Sequence, residues 1–98
     1  MTRTEALKKL RGFAGALKER GATSLYLFGS TSRNEASRTS DLDLFMDYDP
    51  RSKFDVFDLV AVKRMLQDRL GVNVDLTTRG GLHPLIREKV EAEAVRVF

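Results

Sequence analysis

The chain has 98 residues, 42% of them apolar, which is enough for one small domain with a real core and too much for a disordered tract. Seventeen Lys and Arg against fourteen Asp and Glu give a formal charge of +3. That excess is scattered and forms no basic stripe with stacking aromatics, which argues against direct nucleic-acid binding. Cysteine is absent, which excludes disulfides and thiolate metal sites and fits a reducing compartment without proving it. No apolar run approaches the roughly 20 residues of a membrane span. The charged start (Arg3, Glu5, Lys8, Lys9) leads into no signal-peptide core, so the expectation is a soluble cytoplasmic protein without a membrane partner.

Residues 4–20 place Leu7, Leu10, Phe13, Ala14 and Leu17 at helical spacing, with Thr2 and Glu5 as a capping box and Gly21 as the stop. The run Ser-Leu-Tyr-Leu-Phe at 24–28 is a short strand ending at Gly29. Residues 30–39 are polar and read as a turn with room for one helical turn. Residues 42–47 form a second strand, apolar apart from its aspartates, as a central buried strand would be. Asp49, Pro50, Arg51 and Ser52 break the chain. Residues 54–70 are apolar too densely for a single stripe and predict a helix stopped by Gly71, whose surplus apolar area could dock a partner. Asp47, Asp49, Asp55 and Asp58 read as turn and helix-start residues rather than ligands. A third strand at 72–77 carries Asp75. Gly80 and Gly81 form a flexible link, and Pro84 fits the first position of a helix running to about residue 93, with His83 as its cap or a surface residue. Val95 and Val97 suggest a short closing strand. The order of elements predicts a single α/β domain, a mixed β-sheet with helices packed on it.

The most informative feature is the stretch from Gly29 to Asp43, a Gly-Ser turn followed by two aspartates one residue apart. Side chains alternate along a strand, so Asp41 and Asp43 point to the same side with Cβ atoms roughly 6 to 7 Å apart. Two carboxylates at that separation repel by roughly 2 to 3 kcal/mol at an effective dielectric near 20. On a strand flanked by Leu42 and Leu44, a cation between them would offset that cost, and oxygen-only ligands beside a glycine turn suggest Mg²⁺ carrying a phosphate.

Gly29-Ser30, then Arg33, then Ser40-Asp41-Leu42-Asp43-Leu44, then an isolated Asp75 on a later strand, resembles the nucleotidyltransferase superfamily, to which DNA polymerase beta and the kanamycin nucleotidyltransferases belong. Coverage of nearly the whole short chain is similar to its minimal nucleotidyltransferase (MNT) branch, with residues 1–98 as one domain. Gly-Ser and Asp-x-Asp together make a fairly specific signal, whereas either alone is weak. The resemblance implies glycine after the arginine. Here Asn34 stands there, the non-glycine residue that best tolerates a left-handed backbone.

On that resemblance, Asp41 and Asp43 hold Mg²⁺ against the phosphates of ATP, and Asp75 completes the metal site and takes a proton from the attacking hydroxyl. Two ions about 3.5 to 4 Å apart would clamp attacking and leaving oxygens. Gly29 lets the backbone approach phosphate, Ser30 donates a hydroxyl bond to it, and Arg33 is a bidentate phosphate fork. Plainer readings stand beside these: Gly29 ending a strand, Ser30 capping a short helix, Arg33 and Arg38 as solvated loop charges, Asp75 in a surface ion pair. The resemblance further implies AMP transfer to a tyrosine hydroxyl of a partner, a HEPN-type ribonuclease toxin, with this chain as the antitoxin. Two alternatives remain: a non-catalytic module that neutralises its partner by binding, and nucleotidyl transfer to a small molecule or an RNA end.

Overall fold

Residues 1–35 and 41–98 are described by the computed structural model; residues 36–40, including Arg38 and Ser40 of the expected turn and motif, lie outside the described residues. The first helical segment, expected as one, is two: α1 (Arg3–Arg11) and α2 (Ala14–Glu19). Gly12 and Gly15 weaken helix propensity. The amide of Gly12 turns back to the Lys9 carbonyl three residues earlier, tightening the chain at the break. Thr2 caps α1 by accepting from the Glu5 amide, and Leu10 and Leu17 bury on the same side of the sheet.

The strands are β1 (Ala22–Phe28), β2 (Leu42–Tyr48), β3 (Val74–Thr78) and a two-residue β4 (Val95–Arg96). They lie in the order β3-β2-β1-β4, with β1 antiparallel to β2 and β4, and β2 parallel to β3. The sheet is therefore mixed, as expected, and β2 is central, which explains its unbroken run Leu44, Phe45, Met46. Between β1 and β2 sits a four-residue helix, α3 (Gly29–Ser32); α4 (Val56–Leu70) joins β2 to β3, and α5 (Pro84–Glu93) joins β3 to β4.

Alternation divides the sheet's two faces. Leu25, Leu27, Leu42, Leu44, Met46, Val74 and Leu76 form the main core with residues of α1, α2 and α4. On the opposite face Phe45 packs with Leu82 and Val90 beneath α5, and Tyr26 stacks on Phe45 at 4.8 Å between ring centroids. α4 starts with a reciprocal cap, Asp55 accepting from the Phe57 and Asp58 amides while Asp58 accepts from the Asp55 amide. It stops at Gly71, whose φ of 69° is a left-handed conformation that glycine adopts without strain. Pro84 opens α5, and His83 Nδ1 accepts the Leu85 amide, the cap role expected of it. The glycine link before α5 is a short 3-10 turn, Arg79–Gly81, held by Thr78 accepting from Gly81.

Asp47 was expected as a turn or helix-start residue, and the structure corrects this. It lies in β2, within the strand expected at 42–47, and rather than serving a turn its carboxylate accepts Ser24 Oγ at 2.7 Å and both Nε (2.8 Å) and Nη2 (3.0 Å) of Arg79. The Arg79 guanidinium also lies 5.0 Å from the ring centroids of Tyr26 and Phe45 and pairs with Glu91 at 3.2 Å, so it fastens α5 to the sheet. Nothing near residue 47 in the sequence points to a partner 32 residues on. The bonds from Arg79 hold the Asp47 carboxyl below its ordinary range. Asp47→Asn should therefore cost about 1 kcal/mol at neutral pH, allowing for partial exposure. A depressed carboxyl contributes its stability above the unfolded-state pKa and loses it as pH falls through the lower folded value, so wild type and variant should converge in acid below about pH 4. Thermal melts of both from neutral to acid pH measure this.

Candidate functional site

The sequence-predicted residues gather at one end of the sheet. β1 ends at Phe28, β2 begins at Leu42 and β3 begins at Val74, so the register sets Asp43 opposite Phe28 on one side and opposite Asp75 on the other. Residues opposite each other on neighbouring strands point to the same face, which puts the Asp43 and Asp75 side chains on the α5 side rather than in the main core. Asp43 is half-buried; Asp75 is exposed. Asp41 lies just before β2 and is exposed.

Gly29 begins α3 with φ +75°, and a Cβ built there would land on Oδ2 of Asp43 and come within 3.1 Å of its Cγ. The glycine is thus required twice, by its backbone angle and by the carboxylate against its Cα. Ser30 lies in the first turn of α3, half-buried, with its carbonyl accepting the Glu35 amide at 2.8 Å. Arg33 follows α3 immediately; its Nε pairs with Glu35 at 3.1 Å and its Nη1 with Glu93 of α5 at 3.2 Å. Asn34 has φ 60°, so the position where the resemblance implies glycine is left-handed here, and asparagine fills it. Its Oδ1 accepts the Arg3 amide at 3.2 Å, while Arg3 Nη1 donates to the Ser32 carbonyl at 3.3 Å. Sequence reasoning singled out neither Arg3 nor Glu93. Their contacts span 29, 31 and 60 residues, and no local spacing encodes them.

Burial, followed by the charges of Asp75 and Asp41, pushes the Asp43 carboxyl above its ordinary range; the Arg33 charge partly opposes this. Mutual repulsion among oxygen-only donors is the condition that a hard divalent ion relieves. The donor chemistry therefore fits Mg²⁺, although among the described residues no three such side chains stand close enough to hold an ion as they are. Two open clefts, of about 590 Å³ beside Gly21 and Ser52 and about 210 Å³ between Tyr48 and Phe54, lie at the opposite end of the sheet and include none of these carboxylates. Among the described residues, no helix is long and apolar enough to cross a membrane.

The family model described as nucleotidyltransferase domain matches residues 10–97. A protein of Methanocaldococcus jannaschii, named provisionally as a protein adenylyltransferase, is 36% identical over 82 residues, covering 84% of this chain and 86% of its own. A solved structure described provisionally as a minimal nucleotidyltransferase superposes with a TM-score of 0.78 at 35% identity, covering 97% of this chain and 95% of that one. A complex of the tri-AMPylated HEPN toxin of Shewanella oneidensis with its MNT antitoxin shares the fold, with a TM-score of 0.70 at 16% identity over 99% of this chain and 72% of that chain.

Proposed function

The chain belongs to the nucleotidyltransferase domain family and is a nucleotidyltransferase, and from that premise we propose that it transfers AMP from ATP to a tyrosine hydroxyl of a HEPN-type toxin and so acts as that toxin's antitoxin. The observation that carries this reading is the register of Asp43 against Asp75, with Gly29 pressed on the Asp43 carboxylate at the same end of the sheet. The acceptor class is supported by the name of the M. jannaschii relative and by the modified toxin in the S. oneidensis complex.

In this reading residues 1–98 work as one minimal domain, and the partner brings and positions the acceptor. Asp41, Asp43 and Asp75 would hold Mg²⁺, one ion or two, which when bound neutralises charge on the triphosphate as pyrophosphate leaves. Gly29 admits phosphate close to the backbone, the Ser30 hydroxyl donates to it, and Arg33 pairs with it. The acceptor oxygen forms a bond to the α-phosphorus while the bond from that phosphorus to the bridging oxygen breaks. Pyrophosphate takes the electron pair, and Asp75, the exposed carboxylate, takes the hydroxyl proton. ATP supply puts this work in the cytoplasm, which suits a sequence without cysteine.

Intact-mass measurement of the toxin after incubation with this chain, ATP and Mg²⁺ tests the proposal. The expected result is a gain of whole AMP units, abolished by changing a toxin tyrosine to phenylalanine. An unmodified toxin in a stable complex would instead favour neutralisation by binding alone. One observation favours that second reading: Val56 and Phe57 at the start of α4 are 64% and 79% exposed, an apolar surface that the described residues of this chain leave uncovered.

A further inference from the structure

We infer that Glu93, at the C-terminal end of α5, is a positioning residue for Arg33, fixing its guanidinium at the phosphate-binding turn before nucleotide arrives. The inference rests on the reading of Arg33 as a phosphate ligand and adds a residue that the Gly-Ser and Asp-x-Asp pattern does not contain.

Arg33 follows α3, four residues beyond the glycine that abuts Asp43, so its side chain leaves the backbone beside the carboxylate cluster. An arginine at such a place has many rotamers, and each one lost on meeting phosphate weakens binding. Two carboxylates restrict it here. Glu35 is a near neighbour on the same turn, 3.1 Å from Nε, and its side chain is 65% exposed. Glu93 differs: it is 33% exposed and arrives from a helix whose last turn is fastened to the sheet through Glu91, Arg79 and Asp47. The short β4, pairing with Tyr26 and Leu27 directly after α5, sets how far along the sheet the helix ends. The Nη1 to Glu93 contact of 3.2 Å thus ties the turn to a rigid element, while Arg3 ties its other side through Ser32 and Asn34. A guanidinium carries five N–H donors, so holding one or two by carboxylates leaves the geometry for a further oxyanion.

The rival role for Glu93 is competition, in which its carboxylate occupies the guanidinium and must be displaced by phosphate. The two roles predict opposite signs. Calorimetric titration of the full-length chain with ATP and Mg²⁺ separates them. Positioning predicts that Glu93→Ala weakens ATP binding about fivefold, the scale of a partly exposed ion pair. Glu93→Gln, whose amide oxygen still accepts from Arg33, should stay within about twofold of wild type. In an Arg33→Ala background, Glu93→Ala should have no further effect, an outcome that a merely structural role would not give. Tighter binding by Glu93→Ala, or an equal loss with and without Arg33, overturns the inference. Wild type that binds ATP while Glu93→Ala binds equally well also overturns it, yet leaves the transferase reading standing; wild type that binds no ATP overturns both. Should Glu93→Ala lose its fold by circular dichroism, Glu93→Ser makes the same test.

Discussion

Replacing Asp41 and Asp43 together by asparagine should lower AMP transfer by about 10³-fold or more, the scale of losing several kcal/mol of charge stabilisation at the leaving phosphate. The same variant should be more resistant to heat than wild type near neutral pH. Burial and the neighbouring carboxylates raise the Asp43 carboxyl, so its ionised form is the one the fold disfavours. A raised carboxyl makes stability fall as pH climbs from the unfolded-state value through the higher folded one. Asparagine at 43 carries no charge and escapes that loss. The melting difference should therefore be widest near neutrality and close as pH drops toward about 4, the ordinary aspartate range. Added Mg²⁺ should raise the wild-type melting temperature and leave the variant unmoved, because on the proposed reading only the wild-type carboxylates would bind the ion in the folded state. Loss of transfer with equal or lower stability at neutral pH would contradict the electrostatic account of this site. Retained toxin neutralisation without transfer would favour binding through the exposed start of α4.

Gly29→Ala should destabilise the fold by about 1 to 3 kcal/mol, lowering the melting temperature by about 5 to 15 °C for a domain of this size. Two costs combine. Alanine resists the left-handed backbone that φ +75° requires, and its Cβ would clash with Asp43 Oδ2. The second cost falls on function as well, since Asp43 must rotate away from the end of the sheet it shares with Asp75. Activity should fall further than stability alone accounts for, measured well below the melting temperature. A cycle with Asp43→Ala separates the two: without the carboxylate, the penalty of Gly29→Ala should shrink to its backbone part. An unchanged penalty in that background would mean that the contact with Asp43 contributes nothing.

Much of this architecture was legible in local signals because local rules produced it. Pro84 opens α5 and the helix runs to Glu93 as expected, since proline at the first helical position loses no hydrogen bond there. Gly71 ends α4 for a similarly local reason. Asp43 was singled out by its spacing from Asp41, and Asp75 as an isolated acid on a later strand of the resembling pattern; β2 was expected to be central because its run read as apolar. The expected single helix at 4–20 failed at Gly12, because hydrophobic spacing continues smoothly across a break where glycine weakens the helix and the Gly12 amide turns back to Lys9. The second apolar stripe on α4 was visible as a surplus, but only the packing of Val62 and Leu66 inward decides that Val56 and Phe57 face out.

What the sequence determines by itself is most of the elements and the acids and glycine at their ends. These follow from rules acting over one to four residues, which a linear reading can apply. The tertiary structure alone decides that Asp43 faces Asp75, that Asp47 belongs to Arg79 and that Arg33 belongs to Glu93. Those pairings join residues 32 to 60 positions apart, and their partners are chosen by strand register and by where a helix ends, quantities that no local spacing carries.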